Sequence, residues 1–212
     1  MKVLIFGATG LSRKLVTEMT LAAGHDVTVY VRNPSKVSAA GPGLTVIEGK
    51  LTDTDAIAAA VAGRDAVVSL LGPSGKSTGM PYSSGMREII RTMERAGVRR
   101  LIATATPSAA DPKGRFNLSF RLAIGMIKRF AGTAYDDLAA MGQVIRQSDL
   151  DWTIVRLPWL TSRPNNRPAV AGYVGDPGIK LFFLSRERLA EFVVGQLTDQ
   201  RWVRQAPVIS NG

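Results

Sequence analysis

Apolar residues along the chain fall into two kinds of pattern. Short runs, apolar but for at most one Ser or Thr, stand at residues 3–6, 27–31, 44–47, 66–71, 101–104, 152–155 and 208–209. Between them lie stretches in which apolar positions recur every three or four residues, at 12–23, 54–61, from Ser83 or Ser84 to about 95, 135–147 and 185–196. The runs predict strands and the stretches predict helices. Runs that do not alternate with polar residues belong to strands covered on both faces. Gly24 and Gly97 stand just past two of the helical stretches, and Ser185 can cap the last. Strand and helix alternate, which predicts an α/β fold: an open, doubly wound, mostly parallel sheet with helices on both faces. No internal repeat interrupts this order.

The first run leads directly into Gly7-Ala8-Thr9-Gly10, and a helical stretch follows. Glycines there let the backbone turn tightly and approach a pyrophosphate, which sits on the N–H groups of the helix start. A glycine pair alone also marks an ordinary strand-to-helix turn; its place at the head of an alternating chain favours a dinucleotide. The third small position of such a turn holds Arg13. That implies either looser packing of helix on strand or an arginine directed at phosphate, while Lys14 beside it is read as facing solvent. Where an NAD site places a carboxylate for the ribose 2′-hydroxyl, the second run ends in Val31-Arg32-Asn33-Pro34. A guanidinium suits a 2′-phosphate instead. Asn33 can support it, and Ser35 and Lys36 lie close by in sequence, so the expected cofactor is NADPH in preference to NADH.

Composition removes several alternatives. The chain has 212 residues, 45% of them hydrophobic, and a mean hydropathy of +0.07, enough for one compact core. It contains no cysteine and one histidine, His25, which excludes disulfides, thiolate metal sites and multi-histidine metal sites. No metal is expected. Charges interrupt every apolar stretch before the roughly 18 residues of a membrane span, so no transmembrane segment is expected. Met1-Lys2 leads straight into the first strand, so no signal peptide and a cytoplasmic location are expected. The net charge of +10 can attract nucleic acid, anionic lipid or an anionic ligand. It equally describes a solvated surface, and no nucleic-acid partner is expected.

The order of these segments resembles a known group. Gly7 to Gly10, Val31 to Pro34, Leu70-Leu71-Gly72, Asp151 to Arg156 and Ser185 to Phe192 are similar to motifs of the atypical short-chain dehydrogenase/reductases. The likeness is to the small NAD(P)H-binding, NmrA-like and biliverdin reductase B/flavin reductase-like members, and it spans nearly the whole chain. It implies a Rossmann-like fold forming one domain over 1–212, with a substrate-side cap from about 107–135 and 158–185. It also implies roles by position. Gly7, Thr9, Gly10, Leu11 and Ser12 would line the pyrophosphate, with Arg32 on the 2′-phosphate. Leu51 would lie at the adenine, Leu71 and Gly72 beside the ribose, Thr104 to Thr106 toward the nicotinamide, and Pro158 at the closing end of that site. One departure is Gly49-Lys50, where the group often has Gly-Asp.

Better-known members of the superfamily pair a tyrosine with a lysine four residues on, which lowers the phenol pKa for proton transfer. Here Tyr135 falls in the tyrosine position, Thr106 in the serine position, and Ala139 where the lysine would be. Without a neighbouring cation the phenol is expected to stay near its ordinary range. Two functions follow. One is a reductase that transfers hydride to a flavin, quinone or related aromatic acceptor needing little acid–base help. The other is a non-catalytic NADP(H) sensor acting through a macromolecular partner. Tyr135 is equally readable as a plain helix-start residue.

Residues 112–135 carry Lys113, Arg115, Arg121, Lys128 and Arg129 among apolar positions at helical spacing, with no acid. The segment reads as a lid over an anionic aromatic substrate, a membrane-surface helix, a dimer or nucleic-acid contact, or a helix packed on the body with a solvated face. The Gly- and Ser-rich loop 74–84 is a candidate flap. Trp152 reads as core, His25 as structural, and Trp159 as facing the substrate. The expected partner is a small aromatic acceptor, and the chain is expected to be a monomer or a homodimer.

Overall fold

The computed structural model describes residues 1–72, 81–105, 113–114, 125, 135–180 and 183–212. Strand β1 (Lys2–Phe6) leads into α1 (Leu11–Ala22), then β2 (Asp26–Val31) and β3 (Leu44–Glu48). Helix α2 (Thr54–Val61), β4 (Ala66–Ser69), α3 (Pro81–Ala96) and β5 (Arg100–Ala105) follow. Helix α4 occupies residues 135–146 of the described chain. After it come β6 (Asp151–Arg156), β7 (Trp159–Thr161), β8 (Ala169–Gly172), β9 (Phe183–Ser185), α5 (Arg186–Gly195) and β10 (Val208–Asn211). The predicted α/β alternation is the observed one, and most boundaries differ by one or two residues.

The main sheet has the order β3-β2-β1-β4-β5-β6-β10-β8. Every pairing in it is parallel except β10 with β8, which is antiparallel. The apolar runs divide by parity between two cores. In β1, Leu4 and Phe6 join the layer that contains Met86, Met93 and Met141 of α3 and α4. Val3 and Ile5 join the layer that contains Val16 of α1 and Val193 of α5. A period of two on a strand sends alternate side chains to opposite faces, so a run that is apolar throughout requires cover on both.

The sheet reverses its winding at β1, which pairs with β2 on one side and β4 on the other. Connections leave β1 and β4 in opposite directions there, which opens a crevice at the carboxyl ends of these strands. The 158–180 stretch, which contains no strand in the pattern reading, supplies β7 and β8. β8 completes the main sheet, and β7 pairs with β9 in a small two-stranded sheet.

Two side chains cap helices from across the molecule. Asp137 of α4 is 1% exposed and accepts the Tyr82 and Ser83 N–H groups of α3, each at 2.9 Å. Helix α3 therefore begins at Pro81, two to three residues before the expected Ser83 or Ser84 start, with its cap supplied by a residue about fifty positions away. Proline fits that first turn because its missing N–H would have no helical partner. At the opposite end of the sheet, Arg100 donates twice to the Gln196 carbonyl at the end of α5, at 3.1 and 2.6 Å, and once to the Asp151 carbonyl at 2.7 Å. A cation there also complements the negative end of the helix.

Replacing Asp137 with Ala leaves two buried N–H groups without an acceptor. The expected loss is about 2 kcal/mol, read as a lower urea midpoint with an unchanged m-value. Asp137→Asn, which keeps one acceptor oxygen, should lose less. An Asp137→Ala protein as stable as the parent would show that this cap contributes nothing.

Candidate cofactor and acceptor site

The crevice beside β1 is built from backbone first. Gly7 ends the strand at φ 78°, and a side chain there would put Cβ 3.1 Å from the Leu70 carbonyl oxygen. That glycine is what lets the β1–α1 turn lie against the chain leaving β4. Gly10 sits at φ 108°, ψ 163° at the head of α1, with no side-chain capping bond and no acid in the first turn. The first N–H groups of α1 therefore lack helical partners and point at the crevice, together with the positive end of the helix dipole. This is the donor set that a pyrophosphate requires.

Arg13 fastens the crevice. Its Nε donates to the Leu70 carbonyl at 3.0 Å, Nη1 to the Thr9 carbonyl at 2.9 Å and Nη2 to the Gly72 carbonyl at 3.4 Å. The sequence left two readings of this residue, loose packing or a phosphate contact. The geometry supplies a tie between the two strand-end loops, where a small residue would simply allow close approach. Burial pushes its guanidinium below the ordinary arginine range; Tyr82 opposes that shift and Arg32 adds to it. An arginine remains charged despite such a shift.

Two cavities flank Arg13. The larger, about 690 Å³, lies over β2 and the β3–α2 loop. Of the expected cofactor residues it is lined by Gly7, Thr9, Arg32, Asn33, Leu51, Leu71 and Gly72, as well as by Arg13. Lys36 and Lys50 complete a set of four cations, and among the described residues lining it there is no carboxylate. Asn33 uses its Oδ1 to accept from Ser35 N and Oγ, which shapes the short turn after β2. Tyr30, unnoticed in the sequence, forms part of the wall and donates its hydroxyl to the Lys50 carbonyl at 2.9 Å. It also explains Gly49: a Cβ there would fall 2.0 Å from the Tyr30 hydroxyl. Burial raises the Tyr30 pKa, and Asp53 raises it further.

The smaller cavity, about 310 Å³, lies toward β5, α4 and α5. Gly10, Leu11, Ser12 and Thr104 of the expected set line it, with Arg13, Leu71 and Gly72 shared between the two. Its wall also includes Leu138, Leu157 and Leu160, which the sequence reading had not singled out, and Arg186 and Leu189, which it named only within the Ser185–Phe192 motif. Pro158, expected at this end, is buried and lines neither cavity, while its chain neighbour Leu157 lines this one. Thr104 donates its hydroxyl toward the Ser69 carbonyl at 3.4 Å. Tyr135 opens the described part of α4, while Leu138 is the α4 residue lining the cavity. Burial raises the Tyr135 pKa, with Asp136 adding to the shift, so the phenol is further from a base than the sequence alone suggested. Thr106, the 74–80 part of the flap and nearly all of the basic 112–135 segment lie outside the described residues.

A doubly wound sheet with an uncapped glycine turn at its switch point defines a dinucleotide-binding class of protein. Residues 7–200 match the family described as NAD(P)H-binding, and the chain belongs to that family. Its relatives include a named reductase, and its fold is that of a named short-chain dehydrogenase/reductase. The chain is 25% identical over 225 residues to the phenylcoumaran benzylic ether reductase of Ginkgo biloba, covering 94% of this chain and 66% of that protein's length. Its fold matches a short-chain dehydrogenase/reductase from Veillonella parvula in complex with NADP, at a TM-score of 0.75 and 22% identity, covering 99% and 94% of the two chains. It also matches the anaerobillin reductase ChuY of Escherichia coli, at a TM-score of 0.80 and 19% identity, covering 100% and 97%. Among the described residues, no helix is long and apolar enough to cross a membrane, and no cluster of three potential ligands could hold a metal.

Arg13→Met removes three hydrogen bonds and separates the strand-end loops. The expected cost is about 1–2 kcal/mol of stability. NADP⁺ affinity measured by calorimetry should fall by about tenfold or more at a temperature where the variant remains folded. Unchanged affinity would mean that the tie does not shape the cofactor site.

Proposed function

We propose that the protein is an NADPH-dependent oxidoreductase acting on a flat aromatic acceptor such as a flavin, quinone or linear tetrapyrrole. The observation that carries this reading is the larger cavity, where four cations, with no carboxylate among the described lining residues, stand beside the uncapped start of α1 that borders the smaller cavity. The charge set suits the extra phosphate that distinguishes NADPH from NADH, and Arg32 offers a planar fork for it. The nucleotide's reduced ring would supply a hydride, two electrons with one hydrogen nucleus, while a proton from solvent completes reduction of the acceptor.

On this reading the chain's own groups bind and orient. The α1 N–H groups take the pyrophosphate, Leu51 and Tyr30 enclose the adenine end, and Thr104 borders the nicotinamide end. Leu138, Leu157 and Leu160 offer apolar cover that excludes water from the transfer. The named activities of the Ginkgo and Escherichia coli proteins support a reductase and an extended aromatic acceptor.

Ala139, in the position of the superfamily's lysine, favours a second reading, a nucleotide-binding sensor without turnover. The two separate in one series of measurements. Titration should show NADPH binding at least about tenfold tighter than NADH, and Arg32→Ala should remove most of that difference. Equal losses for both nucleotides would overturn the role given to Arg32. Purified protein should then oxidise NADPH when offered flavins, quinones or tetrapyrroles. Intact NADPH binding with no turnover across that set would favour the sensor.

Because the Tyr135 phenol is held above its ordinary range, it stays protonated through neutrality. The Tyr135→Phe variant should therefore keep the parental shape of the kcat/KM profile between about pH 6 and 9. Loss of an ionisation in that window would make Tyr135 the proton-transfer group.

A further inference from the structure

The smaller cavity holds one cation that no structural duty explains. Arg13, on its nucleotide side, is committed to the carbonyls of Leu70, Thr9 and Gly72. Arg186, from the first turn of α5, lines the same cavity and is half-buried. Its one partner among the described residues is the Ser162 hydroxyl, which accepts from Nη1 at 2.9 Å. The other arginine of that turn, Arg188, is paired with Glu191, whereas Arg186 forms no ion pair among the described residues. No carboxylate lines the cavity among the described residues.

Apart from two glycines, Ser12 and Thr104, the rest of that wall is aliphatic. Leu138, Leu157, Leu160 and Leu189 contribute to it, and Leu11 is 68% exposed, leaving an apolar side chain open to solvent where it borders the cavity. A mostly apolar enclosure with one guanidinium besides the carbonyl-bound Arg13 matches a ligand with a flat apolar body and one negative group. A guanidinium presents a rigid planar fork to carboxylate, phosphate or sulfonate oxygens, and its attraction grows where water is partly excluded. We infer that Arg186 is a specificity residue that selects acceptors carrying an anionic substituent on an aromatic framework. This rests on the reading of the smaller cavity as the acceptor site.

The same chemistry could be supplied by the nucleotide's own pyrophosphate, so the test separates the two sources. The probes are 1-anilinonaphthalene-8-sulfonate and N-phenyl-1-naphthylamine, which share a framework and differ by the sulfonate. Each is titrated by fluorescence into protein saturated with NADP⁺, at about 0.15 M salt to screen exposed charges. The parent protein should bind the sulfonate about tenfold or more tightly than the neutral compound. Arg186→Gln should bring the two affinities within about twofold, and Arg186→Lys should retain part of the preference. NADP⁺ affinity should be the same in all three proteins.

A parent protein that binds neither probe, or both alike, overturns the inference. So does a preference that survives Arg186→Gln, or an NADP⁺ affinity that falls with it, which would assign Arg186 to the pyrophosphate. The anion preference is read without turnover. Failure of every acceptor in the turnover assay would therefore remove the reductase reading without touching the anion preference, and loss of the preference with turnover intact would remove this inference alone.

Discussion

The crevice depends on the attachment of two loops that leave parallel strands in opposite directions. One leaves β1 through Gly7 and Gly10, the other leaves β4 through Leu70 and Gly72. Left to themselves, such loops would expose carbonyl oxygens to each other across the opening. The Arg13 guanidinium fills that space and satisfies three of those oxygens from one planar group. It thereby fixes the width of the crevice and divides it into two cavities. The first N–H groups of α1, the cations of the larger cavity and the aliphatic wall of the smaller one are all positioned relative to that division.

The chemistry follows from how charge is distributed about it. On the β2 side, Arg32, Lys36 and Lys50 surround space bounded by aromatic and aliphatic side chains. On the α5 side, the walls are mostly leucine. A nicotinamide dinucleotide phosphate has the same asymmetry, with most of its charge at one end and a flat, weakly polar ring at the other. On the proposed reductase reading, Ala139 in place of a lysine would leave the chain to orient the reactants and exclude water.

Much of this was legible before any coordinates. The inner strands of the nucleotide half are largely apolar, so their existence and parallel pairing followed from cover on both faces, whereas the edge strand β3 leaves Thr45, Val46 and Glu48 exposed. Gly7 and Gly10 were legible because a left-handed turn leaves few residue choices. Elements that rely on distant partners were not. The true start of α3 is set by Asp137, and nothing local near Ser83 announces a cap from α4. Arg13 departs from the small residue usual at its position, and sequence alone could not distinguish loosening from a substitute fastening. Leu157, Leu160 and Arg186 meet only after β6, β7 and β9 are assembled. Gly49 shows the same limit, since its reason lies in the Tyr30 hydroxyl on another strand.

The Asp137 cap has a consequence for communication between the cavities. Its carboxylate belongs to α4, the helix that sends Leu138 into the smaller cavity, and it holds the backbone of Tyr82, which lines the larger one. The floor of one compartment and a wall of the other therefore share a single rigid joint. A ligand whose binding depends on the position of α4 is thermodynamically linked to whatever rests on Tyr82, with a coupling free energy equal in both directions. The chain needs no moving domain for occupancy at one end of the crevice to be felt at the other.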